Sequence, residues 1–345
     1  MEGAGLLKSK IFIGSSIVIA LMMIAGIFFS LPYYVSKPGI AKELAPIIQV
    51  AGGTEEKGSY MLTTVRMGRA NIYSYVEAKL FDYVELYPVE AILHETETQD
   101  EYNARQLHMM AGSKLNAIEV AYKKAGYPVE YEYKGVYIVQ VVPDMPADGK
   151  LLAGDRITQV DGQEFSSSER FIEYVGKKKA GEQVELTITR EDRTKTVKIS
   201  VEPFKDDPKK IGIGISLVDD KEIIVDPKVT VKTDEIGGPS AGLMFSLEIY
   251  DQLMEEDFTK GYKIAGTGTI DPNGIVGPIG GIDQKIVAAD KAGAEIFFAP
   301  NEKGIKDSNY KLAVKTAREI DSKMKIVPVD VIDDAINYLQ KLPIK

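Results

Sequence analysis

The stretch DEIGGPSAGLMFSLEIYDQL, residues 234–253, changes character at its centre. Gly237, Gly238 and Pro239 interrupt regular structure. From Ser240 onward Leu243, Met244, Leu247 and Tyr250 recur at helical spacing, so the sequence predicts an apolar-striped helix opened by Ser240. A serine placed there has two readings. Its hydroxyl can cap the helix by accepting a bond from an otherwise unpaired N–H, the ordinary role of such residues. It can also be a nucleophile, because the glycines let backbone approach a substrate. In that case the backbone of Gly237, Gly238, Ser240 and Ala241, with the helix dipole behind it, would stabilise an oxyanion.

A nucleophilic serine needs a base, and the composition narrows the choice. The 345 residues include no cysteine and two histidines, His94 and His108. Thiol nucleophiles, disulfides and Cys-rich metal sites are excluded. Both histidines lie far upstream of Ser240 with no neighbouring acid pattern that suggests a triad. His94-Glu95 begins an H-E-x-x-H match, but the fourth residue on is Thr98, so no zinc is expected there, and no cofactor. The other candidate base is a lysine whose pKa is lowered by burial among apolar groups. In GPIGGIDQKIVAADKAGA, residues 277–294, a helix would put Lys285 on one face with Ile282, Ala288, Ala289 and Ala292. A lysine centred in such a stripe either snorkels or is desolvated. Lys291, among polar neighbours, reads as a surface residue.

Working outward, 42 Lys and Arg against 51 Asp and Glu give a formal charge of −9, with no basic block to neutralise phosphates, so nucleic acid is not an expected partner. Residues 11–31, IFIGSSIVIALMMIAGIFFSL, carry no charge, and such a run spans about 30 Å as a helix, the thickness of a bilayer core. Lys8 and Lys10 precede it, and Tyr33 and Tyr34 follow. The expectation is a cytoplasmic tail at 1–10, a single membrane anchor at 11–33 with no A-x-A-like cleavage site, and the rest outside the cytoplasm. Residues 34–57, with Pro38, Pro46 and Gly52-Gly53, read as a stalk. In the segment 58–121, Tyr60–Met67 reads as a strand, and residues 99–125 as an amphipathic helix ending before Gly126.

From Gly135 the pattern turns β-rich. GVYIVQVV is followed by PDMPADGKLLAGDRITQVDGQEF, the helical SSERFIEYVGKK, and two alternating strands, QVELTITR and TKTVKISV, joined by EDR. The segment LLAGDRITQVDG resembles the signature of PDZ domains, with the similarity running over residues 122–203. The resemblance implies an open strand edge at Val136, Tyr137, Ile138 and Val139, continuing to Val141. Beside a helix at Glu169–Val175, that edge would add an extended peptide as a further strand.

GGPSAG at 237–242, TGTI at 267–270 and GPIGGIDQKIVAADKAGA at 277–294, followed by Ala299-Pro300-Asn301, together resemble the proteolytic domain of the Lon family of Ser-Lys peptidases over roughly residues 210–340, which implies a Lon-like domain at 206–345. Carried over by position, the resemblance implies Ser240 as nucleophile, Lys285 as general base and then acid, and Thr267 as the hydroxyl that orients the amine. Lon proteases often carry an acidic residue three before the serine, where this chain has Gly237. No G-x4-G-K-[ST] occurs, so ATP-driven unfolding is not expected.

An anchor, a PDZ-like module and a Lon-like domain in one chain resemble the membrane-tethered SepM/YlbL-type peptidases of Gram-positive bacteria. The expected fold class is α+β. The implied function is ATP-independent regulatory cleavage of extracytoplasmic peptides or small membrane proteins. The implied partners are those substrates and the membrane, and the resemblance is compatible with an oligomer. The alternative is a PDZ scaffold that binds peptides on a degenerate peptidase fold. Whether the PDZ-like module is inserted within the catalytic fold is left open by the sequence.

Overall fold

The computed structural model describes residues 13, 16, 26–93, 97–233 and 236–345. In chain order these form β1 (Ser30–Glu43), β2 (Ile48–Val50), β3 (Ser59–Asn71), α1 (Ile72–Leu80), β4 (Glu85–Pro88), the single turn α2 (Val89–Ile92) and the long α3 (Gln99–Lys124). Then come β5 (Glu130–Val141), β6 (Arg156–Val160), β7 (Gln163–Glu164), α4 (Ser168–Gly176), β8 (Gln183–Arg190), β9 (Arg193–Ser200), β10 (Glu202–Pro203), β11 (Ile211–Gly212), β12 (Ile215–Ile224) and β13 (Val229–Val231). The last part holds α5 (Gly242–Leu253), β14 (Lys263–Gly266), β15 (Thr269–Ile270), β16 (Val276–Gly277), α6 (Ile282–Lys291), β17 (Ile296–Pro300), α7 (Asn309–Glu319), β18 (Lys325–Val329) and α8 (Ile332–Gln340).

The two ends of the chain share one sheet, in the order β18-β17-β14-β3-β1-β4. Strands β3, β14, β17 and β18 are parallel, and β1 runs antiparallel to β3 and β4. Parallel neighbours cannot be joined by a tight turn, and α6 and α7 supply the crossovers from β14 to β17 and from β17 to β18. The strand β17, IFFAP, is buried at every residue, as an interior strand covered on both faces must be. One face packs with Ile282 and Ile286 of α6, the other with Leu243, Met244 and Leu247 of α5. Helix α5 lies between the sheet and α3 and is buried throughout from Gly242 to Asp251. Gly266 permits that seating, since a Cβ there would stand 2.5 Å from Met244 Sδ.

A second sheet, in the order β12-β5-β6-β8-β9 with β7 on β6, closes over Val136, Ile138, Ile157, Leu186 and Phe171 of α4. The β8–β9 hairpin turns through Glu191 and Asp192, both at positive φ, as a two-residue turn matching strand twist requires.

Several expectations change here. Among the described residues no helix is long and apolar enough to cross a membrane. Ser30–Tyr33, the end of the expected anchor, opens β1, while residues 1–12, 14–15 and 17–25 lie outside the described residues. The assignment of a single-pass membrane protein with an extracytoplasmic catalytic part is corrected accordingly. Residues 34–57 are not a stalk: Tyr34 and Val35 of β1 and Ile48 and Val50 of β2 are buried. The mixed sheet makes the architecture mixed α/β rather than α+β. Finally, the span 206–345 is not self-contained, because its sheet takes β1, β3 and β4 from before the PDZ-like module, while β12 returns to that module's sheet. Strand pairing over such separations leaves no local trace in sequence.

Candidate active site

Three segments meet at the carboxyl end of β14. Thr267 follows that strand directly, Ser240 lies two residues ahead of α5, and Lys285 sits in the first half of α6. Lys285 Nζ is 2.8 Å from Ser240 Oγ and 2.9 Å from Thr267 Oγ1. Thr267 Oγ1 in turn donates to the Ser240 carbonyl at 3.0 Å, and Gly268 N–H donates to the same carbonyl at 2.9 Å. The serine backbone is thereby held from two sides. Lys285 is 3% exposed, and desolvation brings its amine down to about 7.

Local sequence explains how the lysine reaches this position. Gly281 precedes α6 with φ +63°, and a Cβ there would approach Val65 Cγ1 to 2.7 Å, so the turn demands glycine. Beyond it Ile282, Lys285, Ile286 and Ala289 share the buried face of α6. Next to the lysine, Gln284 is fixed to β1: Ser36 Oγ donates to Gln284 Oε1 at 2.7 Å, and Gln284 Nε2 donates to the Ser36 carbonyl at 3.2 Å. The amine is therefore desolvated rather than snorkelling.

Ser240 does not open the helix. The cap position of α5 is Ala241, with no side-chain cap bond, and the serine hydroxyl is engaged with Lys285 instead. Ala241 is buried, whereas Gly237 and Gly238 line a cleft of about 930 Å³ together with Ser240, Lys285, Tyr102 and Leu107. Gly238 adopts φ +88°, and its N–H donates to the Gln106 carbonyl of α3 at 2.9 Å, so that group is spent within the fold. Ser113 Oγ donates to the Pro239 carbonyl at 2.9 Å, and Asn116 Nδ2 to the Ile270 carbonyl at 2.9 Å. These polar residues of α3 support the serine loop, and sequence reasoning missed them, since helical periodicity marks the apolar face alone.

His108 stacks on Tyr137 with ring centroids 4.8 Å apart. His94 and Glu95 lie outside the described residues, as do Asp234 and Glu235. The expected peptide edge lies inside the sheet. Val136, Tyr137 and Ile138 pair with Asp219, Val218 and Leu217 of β12 on one side, and Val136 and Tyr137 pair with Ile157 and Arg156 of β6 on the other. Val139 belongs to the same interior strand, so β5 offers no edge. The edge strand on this side of the sheet is β12, and Ser168 N–H at the start of α4 donates to its Asp219 Oδ1 at 2.7 Å.

The chain matches the PDZ domain family over residues 122–201. It is 32% identical over 131 residues to the Lon protease of Campylobacter jejuni subsp. jejuni, covering 34% of this chain and 16% of that protein. To the Lon protease of Trichlorobacter lovleyi it is 36% identical over 108 residues, covering 31% of this chain and 12% of the relative. The chain thus spans about a sixth or less of the length of these curated relatives. Among solved structures, the PDZ domain of an SdrC-like protein from Listeria monocytogenes is 40% identical, covering 25% of this chain and 90% of that one, with a TM-score of 0.24. A second match, to the Lon protease (S16) C-terminal proteolytic domain, runs over residues 169–341 and contains Ser240, Thr267 and Lys285. Since that match takes in half of the residues, the chain belongs to the Lon protease (S16) C-terminal proteolytic domain family, a family of serine peptidases.

Proposed function

We propose that the protein is an endopeptidase working through a Ser-Lys dyad, with Ser240 as nucleophile, Lys285 as general base and then acid, and Thr267 as the hydroxyl that positions the amine. One observation carries the reading: the 2.8 Å contact between Ser240 Oγ and an amine that burial brings to about 7. Near neutral pH a large share of such an amine is unprotonated. Its lone pair takes the hydroxyl proton as Oγ attacks the scissile carbonyl carbon. The oxyanion forms against the N–H groups of Ser240 and Ala241 at the start of α5, Gly238 being committed to Gln106. As the tetrahedral species collapses, the departing amine takes the proton from Lys285 and the acyl group stays on Ser240. Water then attacks the ester carbonyl carbon and gives a proton to the neutral amine; as the carbon–Oγ bond breaks, Lys285 returns that proton to Ser240 Oγ, which frees the hydroxyl and the carboxylic product.

The substrate is an extended polypeptide segment. Strand β12 presents backbone donors and acceptors at a sheet edge beside α4, the arrangement that recruits a peptide as an added strand. A serine-directed fluorophosphonate should label the wild type, and the label should map to Ser240. Ser240→Ala and Lys285→Met should each abolish labelling and peptide hydrolysis. Labelling that survives both substitutions, or maps elsewhere, overturns the assignment.

A further inference from the structure

The Ser240 cleft does not end at the catalytic residues. Pro239 and Thr269 line both this cleft and a smaller cavity of about 330 Å³. That cavity shares His108 and Gly112 with a third, of about 600 Å³, whose far wall is the Asp219–Val225 run of β12 and the residue after it. The step common to the second and third is Gly112, in the middle of α3. Glycine weakens a helix interior relative to alanine. Here packing does not demand it, because a Cβ at Gly112 would meet no atom within 4 Å. Neither does backbone conformation, because Gly112 is not among the glycines with positive φ. The missing side chain leaves open ground between the two cavities, flanked by His108 where it stacks on Tyr137 of β5.

Resting on the peptidase reading above, we propose that the three cavities are one passage, occupied by a single extended polypeptide that adds a strand to β12, crosses α3 at Gly112 and enters the Ser240 cleft. The occupant follows from continuity, since the passage joins a strand-pairing edge to a cleft with a nucleophile. Its ends also set a length. From Gln106, which lines the cleft, to Ile118, which lines the third cavity, α3 advances by about 18 Å. An extended chain covers that distance in about six residues. The bond cut therefore lies about six residues from the segment held at β12, and peptides too short to reach gain nothing from that edge.

The sequence has no cysteine, so Gly112→Cys introduces a unique thiol. In a Ser240→Ala background, unfolded β-casein should slow maleimide modification of that thiol roughly tenfold, and a tetrapeptide amide should not. Equal rates with and without casein overturn the passage, as does equal protection by the tetrapeptide. With Ser240 intact, attaching a bulky maleimide to the folded Gly112→Cys protein should lower kcat/KM for casein roughly tenfold relative to that for the tetrapeptide. A parallel fall for both substrates, or none, counts against the proposal. If casein protects the thiol while the intact enzyme cleaves neither substrate, the peptidase reading fails and the passage stands.

Discussion

Replacing Lys285 by methionine should stabilise the fold by an amount that depends on pH. The amine is buried at 3% exposure and titrates at about 7 in the folded chain, against ~10.4 when unfolded. Between those values the unfolded chain binds more protons than the folded one. The wild-type fold therefore gains stability as pH rises through this window and loses it as pH falls. Each pH unit in the window is worth about 1.4 kcal/mol, so the penalty carried by Lys285 is about 4 kcal/mol at pH 7 and about 2 kcal/mol at pH 9. Methionine keeps an unbranched, adaptable stem without the charge. It forfeits the contacts to Ser240 and Thr267, a loss of about 1–2 kcal/mol that does not vary over this range. Denaturant unfolding of both proteins at pH 7 and pH 9 makes the measurement, and groups that titrate alike in both drop out of the difference. The advantage of Lys285→Met should shrink by about 2 kcal/mol between the two conditions. The same ionisation should appear in kcat/KM of the wild type, rising through a midpoint near 7 and levelling off above it. An advantage equal at both pH values, or an activity flat across pH 7, would refute the reasoning.

Lys285→Arg should be as inactive as Ser240→Ala, with kcat/KM lowered by ~10³ or more, because a guanidinium stays protonated and cannot accept the serine proton; a peptide assay at pH 8 checks it. Thr267→Val should lower the plateau of the pH profile roughly tenfold while moving its midpoint little, since Thr267 positions the amine without titrating. Glu248 of α5 is fully buried beside Asp251 and Glu56, its Oε2 lacks a partner, and burial pushes its carboxyl up to about 8. The fold accordingly loses stability as pH rises from the ordinary carboxylate range toward 8, and Glu248→Gln should gain on wild type between pH 6 and pH 8 in the same unfolding assay. A fragment comprising residues 206–345 should fail to give a cooperative unfolding transition, because β14 loses its neighbour β3 and α5 loses the cover of α3.

The reach of the sequence is set by distance along the chain. The burial of Lys285 was legible because Ile282, Ala288 and Ala289 lie within one helical turn of it and are buried as their spacing implied, while Ala292, a further turn on, is half-buried. Thr267 and Ser240 stood in short glycine-marked motifs. What escaped depends on partners far away. Alternation in β5 reveals two faces but not its neighbours, and the strand that covers its supposed edge begins at Ile215. The start of α5 slips two residues beyond Ser240 because the serine carbonyl is taken by Gly268 N–H and Thr267 Oγ1. The uncharged run at 11–31 met the length test for a bilayer, yet its last residues belong to a strand whose partners include Asn71 and Arg69 of β3. Nothing near Gln284 in sequence announces Ser36.

Helix α3 explains why the serine loop is built from two distant parts of the chain. The loop before α5 contains Gly237, Gly238 and Pro239, which cannot hold a shape through regular hydrogen bonding of their own. Its backbone groups are met from outside, Gly238 N–H by the Gln106 carbonyl and the Pro239 carbonyl by Ser113 Oγ, while Asn116 Nδ2 of the same helix donates to the Ile270 carbonyl of β15. Gln106 and Ser113 lie two turns apart on one helix, with Asn116 a turn further on, so the loop takes its geometry from α3 rather than from its own sequence. The same helix carries His108 against Tyr137 of the PDZ sheet. A displacement of α3 that loosened the PDZ contact would move the carbonyl of Gln106 and the hydroxyl of Ser113 together, and with them the backbone that aims Ser240 at Lys285. Placement of Ser240 and contact with the PDZ sheet are thus functions of a single element, whose position neither the serine motif nor the lysine motif encodes.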